Sequence, residues 1–248
     1  MTSTARRVAI VGDAGSYVGP ELARHLAARG HDLVLGDPSD ELVAELEASG
    51  AAVEAVPKVR NLTRPESAPA LVAAAMARFG RVDAATAFAG QIVTGRFTRS
   101  TIEDLRTVVA GCLEGPYHFL KAVVEPMIEQ RDGQILLITS AAGARPTPGA
   151  PLYSSVRAAA TMLARNVATE VARHGVQVNA VGTNFMDFPA FLAASGATDP
   201  AVRARLEEQV PLGRLGTMGE FAAFCMAFVD GTSRFTTGQF VAYAGGWA

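Results

Sequence analysis

The sequence predicts a single doubly wound α/β domain, with a parallel sheet flanked by helices on both faces. Three observations predict it. Short β-branched runs alternate with helical stretches of about ten residues or more along the whole chain, which implies right-handed crossovers between parallel strands. The run Gln134-Ile-Leu-Leu-Ile-Thr139 is apolar nearly throughout, as a strand covered on both faces must be. No Pro/Ser-rich linker or charge run divides the 248 residues, so one domain over 1–248 is expected.

Each element has its own cue. Val8–Val11 is the first strand, and Glu21–Ala28 follows with helical spacing across a glycine loop. Asp32–Leu35 is the second strand, Glu41–Ala48 the second helix and Ala51–Val56 the third strand. Helix Ser67–Phe79 leads into strand Val82–Ala87, and a long helix is expected over Ile102–Gln130, stopped by the turn signal Asp132-Gly133. Strand Gln134–Thr139, helix Pro151–His174 and strand Gln177–Val181 come next. Residues 183–200 read as a loop, followed by helices Ala201–Gln209 and Glu220–Val229 and a last strand, Gln239–Ala242. Such a sheet places its site at the carboxyl ends of the strands.

Composition narrows the function. With 22 basic and 24 acidic residues the net charge is −2, which argues against a nucleic-acid or anionic-membrane surface and favours a small neutral partner. No run of about 18 apolar residues marks a membrane span, and the start MTSTARRVAI lacks a signal-type apolar stretch. Cys112 and Cys225 match no metal or redox spacing and read as small buried hydrophobes in a reducing, cytoplasmic compartment. His25, His31, His118 and His174 have no metal spacing either, so no metal is expected.

The chemistry concentrates at Ser140, Tyr153 and Arg157. Ser140 leaves the end of an apolar strand, Tyr153 lies thirteen positions on, and Arg157 follows one helical turn later on the same face. A phenol beside a permanent cation gives up its proton more readily, so Tyr153 reads as an acid–base group and Ser140 as the partner that holds a substrate oxygen. Tyr117 and Lys121 repeat the Tyr-x-x-x-Lys pattern without the upstream serine and read as a core tyrosine with a surface lysine.

This spacing resembles the short-chain dehydrogenase/reductase superfamily, with arginine where those reductases carry lysine, and the variant YSSVR is similar to the halohydrin dehalogenases. The resemblance covers nearly the whole chain and implies a Rossmann-like fold without a nicotinamide cofactor. Other positions agree with it. In the stretch Gly12-Asp-Ala-Gly-Ser-Tyr17-Val-Gly19-Pro-Glu21, Glu21 takes the place of the last glycine of the phosphate-binding pattern, where its bulk and charge oppose a phosphate. Phe88 replaces an asparagine, Cys112 another, and Thr183-Asn184 stands where the reductases have Pro-Gly. Asp37 argues the other way, as the position of a ribose-binding acid, although it is also an ordinary turn residue before Pro38.

The resemblance implies cofactor-independent conversion of vicinal halohydrins to epoxides. Tyr153 would take the hydroxyl proton, Arg157 would stabilise the phenolate, and the halide would leave into a pocket of Tyr17, Thr183, Asn184, Phe185 and Met186. In reverse, small anions such as halide, azide, cyanide or nitrite would open the epoxide. Phe88, Ala141, Leu152 and Phe188 are implied as substrate-pocket residues, and a homotetramer as the assembly. The alternatives are an NAD(P)-dependent short-chain oxidoreductase, favoured by Asp37, and a catalytically silent member of the fold.

Overall fold

The computed structural model describes residues 6–90 and 92–248. Seven parallel strands form the main sheet: β1 (Arg7–Val11), β2 (His31–Gly36), β3 (Val53–Val56), β4 (Ala84–Phe88), β5 (Gly133–Ser140), β6 (Val176–Thr183) and β9 (Phe240–Tyr243), in the order β3-β2-β1-β4-β5-β6-β9. The order reverses between β1 and β4, the point where such sheets open a crevice at their carboxyl ends. This is the single α/β Rossmann-like domain that the alternation of elements predicts.

Two apolar layers hold it together. On one face α1 (Gly19–Ala28), α2 (Asp40–Ala48) and α9 (Met218–Val229) bury Leu22, Leu26, Leu42, Leu46 and Phe221 against the sheet. On the other, α3 (Ser67–Phe79), α5 (Gly115–Gln130) and α6 (Pro151–Val171) contribute Leu71, Phe119, Val123, Met127 and Ala164. Every residue of β5 and β6 is buried, and the two strands pair without a break from Gly133↔Val176 to Ser140↔Thr183. That register sets the site, because it lays the end of β5 beside the end of β6.

Three expectations need correction. The helix expected over 102–130 is not continuous: α4 (Ile102–Val109) passes through a π turn at Ala110–Glu114 before α5 begins. The stretch read as a loop, 183–200, holds strand β7 (Met186–Asp187), paired with β8 (Gly216–Thr217), and helix α7 (Pro189–Ser195). Pro189 suits the first turn of α7 and Gly196 closes it in the left-handed region, so the turn is defined by its ends and too short for periodicity to reveal. Tyr117 is no core residue: it lies 51% exposed on α5, near the exposed Lys121–Glu125 ion pair. The remaining helix, α8, spans Pro200–Glu207 and is capped by the Asp199 carboxylate, which accepts from the Ala201 N–H. Among the described residues no helix is long and apolar enough to cross a membrane.

At the opposite end of the sheet from the crevice, His31 is 1% exposed. Arg7 Nε donates to its Nε2 at 3.3 Å, and its Nδ1 lies 3.2 Å from the Leu26 carbonyl. Burial, then the Arg7 charge, pushes the imidazole below its ordinary value. The folded chain therefore resists the proton that the unfolded chain takes up below about pH 6.5, and stability falls as pH drops through that window. Urea midpoints at pH 7 and pH 5 are expected to differ less for His31→Gln than for the native chain; an equal difference removes His31 from the pH response.

Candidate active site

Ser140 ends β5 with 7% of its surface exposed. Its Oγ donates to the Thr183 carbonyl at 3.3 Å and accepts from the Ala142 N–H at 3.2 Å, so the hydroxyl is held between the end of β6 and the turn that follows β5. Gly182 makes this close approach possible, because a Cβ there would stand 2.6 Å from the Ser140 carbonyl carbon.

Tyr153 and Arg157 lie in the first two turns of α6, started by Pro151. Ser154 of the same turn donates to the carbonyls of Ala142 and Arg145, which ties α6 to the turn that follows Ser140. Tyr153 is 6% exposed and Arg157 is 0% exposed. The guanidinium carbon lies 5.0 Å from the Tyr153 ring centre and 5.4 Å from that of Phe88. Among the described residues none of Nε, Nη1 or Nη2 has a hydrogen-bond partner. Cation–π contacts of about 2 kcal/mol offset only part of what a buried ion loses on leaving water. Such an arrangement contributes little to folding; a charge held against the ring of an acid–base tyrosine is a feature of the site.

An aromatic wall closes the crevice on the β1 side. Tyr17 adopts φ +50 and sends its hydroxyl across to Thr183 Oγ1 at 2.6 Å. Its ring lies 4.8 Å from both Phe88 and Phe188 and 6.3 Å from Phe221. Burial pushes the phenol well up, and the Thr183 hydrogen bond pulls it only part of the way back, so Tyr17 stays protonated and is no base.

The residues expected around a leaving anion do not all meet. Tyr17 and Thr183 do, but Asn184, Phe185 and Met186 line a separate cavity of about 120 Å³ with Val210 and Tyr243. The chain turns at Phe185, φ +55, and carries its ring onto Phe191 and Trp247 at 6.4 and 5.7 Å. Of the expected substrate residues, Phe88 and Phe188 flank Tyr17, and Ala141 is buried in the turn after β5. Leu152 faces a cavity of about 430 Å³ together with Val93, Gly95 and Pro151. The 93–100 side of that cavity was not anticipated; exposed Phe97, following Gly95, is the one cue the sequence offers.

A dinucleotide in such a sheet runs from the end of β2 across the switch point towards the acid–base residues. On the β2 side the Asp37 carboxylate already accepts the N–H groups of Lys58, Val59 and Arg60 at 2.6, 2.9 and 2.6 Å. Burial alone would raise this carboxyl, yet those donors hold it below the usual range. Arg60 pairs with Asp13 at 3.4 Å and covers Gly15, where a Cβ would meet its Nη2 at 2.4 Å. Glu21 turns to Arg24 at 2.8 Å, so its charge is neutralised within α1 and does not face the loop, contrary to the expectation. Pro20 brings no N–H to the helix N-terminus. Between Asp13, Tyr17 and Phe88 the remaining cavity measures about 10 Å³, room for one water at most. As placed, these residues do not fit a nicotinamide dinucleotide.

The family model described as "Enoyl-(Acyl carrier protein) reductase" matches residues 14–248. The chain is 30% identical over 245 residues to a 3-oxoacyl-[acyl-carrier-protein] reductase of Synechocystis, covering 96% of both chains. It belongs to the short-chain dehydrogenase/reductase superfamily. A second relative, the 3-oxoacyl-[acyl-carrier-protein] reductase of Thermotoga maritima, is 28% identical over 97% of each chain. Among solved structures the chain is similar to levodione reductase (28% identical, TM-score 0.85, 98% of this chain and 97% of that one). It is similar also to a protein titled "Dehalogenation enzyme" (26% identical, TM-score 0.84, 98% of both). "ElxO with NADP Bound", at 19% identity and TM-score 0.87 over 98% of both chains, shares the fold alone.

Membership in the superfamily explains the serine, the tyrosine and their spacing, but it corrects the expected activity. Cofactor-independent dehalogenation of halohydrins, with carbon–halide lyase chemistry, is overturned by whole-length relatives that are reductases. The reason is the nature of the cue: Arg157 for lysine, with Glu21, Phe88, Cys112 and Thr183-Asn184 at positions of cofactor contact, are scattered replacements that alter local shape in a chain that matches reductases over 96–97% of its length.

Replacing buried ion pairs by apolar side chains of similar volume is often neutral or stabilising by about 1–4 kcal/mol, and removing the Arg157 guanidinium leaves no hydrogen-bonded partner charge behind among the described residues. Arg157→Met is therefore expected to match or exceed the native urea midpoint; a loss above about 2 kcal/mol would show that the cation supports the fold.

Proposed function

We propose that this chain is an oxidoreductase that interconverts a hydroxyl and a carbonyl group on a small molecule, with Tyr153 exchanging the proton of the substrate oxygen. What supports this is Ser140 at the carboxyl end of β5, with the Tyr153–Arg157 pair on the helix that Ser154 ties to the turn after it, in a chain whose whole-length relatives are reductases.

Ser140 supports the substrate oxygen. Its hydroxyl proton, given to the Thr183 carbonyl at 3.3 Å in the resting site, is free to turn to a substrate oxygen placed between it and Tyr153. On reduction a hydride, which a reduced nicotinamide would have to supply, would reach the carbonyl carbon while Tyr153 gives its proton to the oxygen; on oxidation the hydride would return to the oxidised nicotinamide and Tyr153 would take the proton back. Arg157 supplies a fixed positive charge beside the ring while the phenol oxygen is deprotonated, in a setting that excludes water and so screens that charge little. Beside Tyr153, a cavity of about 430 Å³ lined by Val93, Leu152 and Pro151 together with Arg96, Arg99 and Asp104 offers mixed polar and apolar walls for a substrate body.

Tyr117 on α5 and Met162 on α6 are 51% and 50% exposed, and Met162 shares its helix with the small exposed Ala158 and Ala159; these exposed apolar residues support association of copies through α5 and α6 into a homotetramer. Cys112 and Cys225, both buried, support a cytoplasmic location.

A panel of short ketones, aldehydes and alcohols, followed by nicotinamide absorbance with either NADH or NADPH, tests the activity. Turnover is expected in the native chain, with kcat/KM reduced about 100-fold or more in Tyr153→Phe and about tenfold in Ser140→Ala. Absence of turnover across the panel, or an unchanged rate in Tyr153→Phe, rejects the assignment. Light scattering is expected to give four times the chain mass; a monomer removes the α5–α6 association.

A further inference from the structure

We propose that the substrate carries an oxyanion, a carboxylate or a phosphate, on the end away from its reacting oxygen, and that Arg96 and Arg99 receive it. The inference rests on the oxidoreductase assignment and names the class of molecule its site takes.

The cavity of about 430 Å³ beside Tyr153 has two kinds of lining. Pro151 and Leu152 immediately precede Tyr153 on α6, and Leu152 and Val93 pack in the apolar cluster that contains that tyrosine. The rest is polar: Thr94, Arg96, Arg99, Ser100 and Asp104. A molecule seated here with one end at the phenol meets these groups along its body and at its other end. Pockets fix orientation through a few such placed groups.

The sign of the charge decides what they fit. Arg60, Arg106 and Arg203 stand against carboxylates at 3.4, 3.7 and 2.6 Å, but among the described residues neither Arg96 nor Arg99 has an ion-pair or side-chain hydrogen-bond partner. The carboxylate on this cavity, Asp104, accepts from the Thr101 N–H at 2.8 Å and the Thr101 hydroxyl at 2.9 Å, so it is committed to the capping box that starts α4. Two arginines against that aspartate leave a positive excess, on a chain whose net charge is −2.

The two guanidiniums are also held in place together. The Arg99 N–H donates to the Arg96 carbonyl at 2.9 Å, which closes one 3₁₀ turn and brings side chains three apart onto one side. Like charges so placed repel and give the fold nothing. At one end the segment is tied to the turn before α6, where the Gly95 N–H donates to the Gly149 carbonyl at 2.6 Å; at the other the Ser100 hydroxyl donates to the Phe97 carbonyl at 2.8 Å, just before α4. Main-chain bonds thus fix the arginines relative to the helix of Tyr153. Each planar fork matches a carboxylate or phosphate in two-point contact, and a shared anion relieves the repulsion between them.

Probe pairs that differ in charge at one end test the site with no nicotinamide present: 4-oxopentanoate against its methyl ester, and dihydroxyacetone phosphate against dihydroxyacetone, each titrated at low salt by ligand-observed NMR. The anionic member of at least one pair is expected to bind about tenfold or more tightly than the neutral one, with the gap shrinking about threefold or more at about 1 M NaCl. The pair with the larger gap distinguishes carboxylate from phosphate. Arg96→Gln and Arg99→Gln are each expected to weaken the anion about threefold, and the double variant to close the gap, with the neutral member unchanged. Equal binding of charged and neutral members by the native chain overturns the proposal, as does a gap kept in the double variant or absence of binding by all four probes. If the double variant does not fold, the single variants decide: an unchanged gap in both overturns the proposal. A gap that closes in the double variant of a chain without carbonyl or alcohol turnover leaves the anion site standing and removes the oxidoreductase assignment; turnover of neutral ketones with no gap does the reverse.

Discussion

The guanidinium of Arg157 has been taken out of water and given two aromatic faces in place of hydrogen-bond partners. Folding energy alone offers no reason for this. An apolar side chain of the same volume would fill the space without the desolvation cost, and the packing of α6 against the sheet rests on Ala160, Ala164 and Ala168. The surrounding architecture explains how the charge is tolerated: α6 is pinned at its first turn through Ser154, the sheet beneath is continuous, and Phe88 and Tyr153 clamp the planar group from two directions. Stability contributed elsewhere offsets a site that is electrostatically strained.

The sheet supplies that stability and also the precision. Because β5 and β6 pair without a bulge to their last residues, Ser140 and Thr183 are neighbours by register, with no adjustable loop between them. Everything on the far side of the crevice is set differently, by the positive-φ turn at Tyr17 and the rings that meet there. One wall of the site is thus rigid and hydrogen-bonded by strands, and the other is a cluster of side chains on a short loop.

That division also separates what the sequence reveals from what it hides. Strands such as Gln134–Thr139 announce themselves through continuous apolar character, and Ser140, Tyr153 and Arg157 through spacing, since strand ends and helical turns convert distance along the chain into position. Phe185 is different. A single left-handed residue turns the chain there and sends the ring to Phe191 and Trp247, away from Tyr17, and nothing in Asn184-Phe185-Met186 signals that turn. Asp37 shows the same limit for polar groups: its residue type suggests a ribose ligand, yet backbone donors 21 to 23 residues later occupy it. Activity was the least legible, because a cation exchanged within a shared motif changes the shape of a site without naming its reaction.

The π turn at 110–114 has a geometric effect that composition conceals. In an unbroken α-helix, Val108, Cys112, Phe119, Val123 and Met127 would form one stripe, since each residue advances the helix by about 100°. The wider turn accommodates an extra residue and shifts the phase of everything before it. Phe119, Val123 and Met127 consequently pack on the sheet, whereas Val108 and Cys112 join Tyr153, Val156 and Ala142 in a cluster of their own. Rewinding this turn to α-geometry with every residue kept would restore a single stripe and withdraw the apolar backing from the phenol, with the composition unchanged. Between 110 and 114, then, it is the winding of the helix that is under constraint.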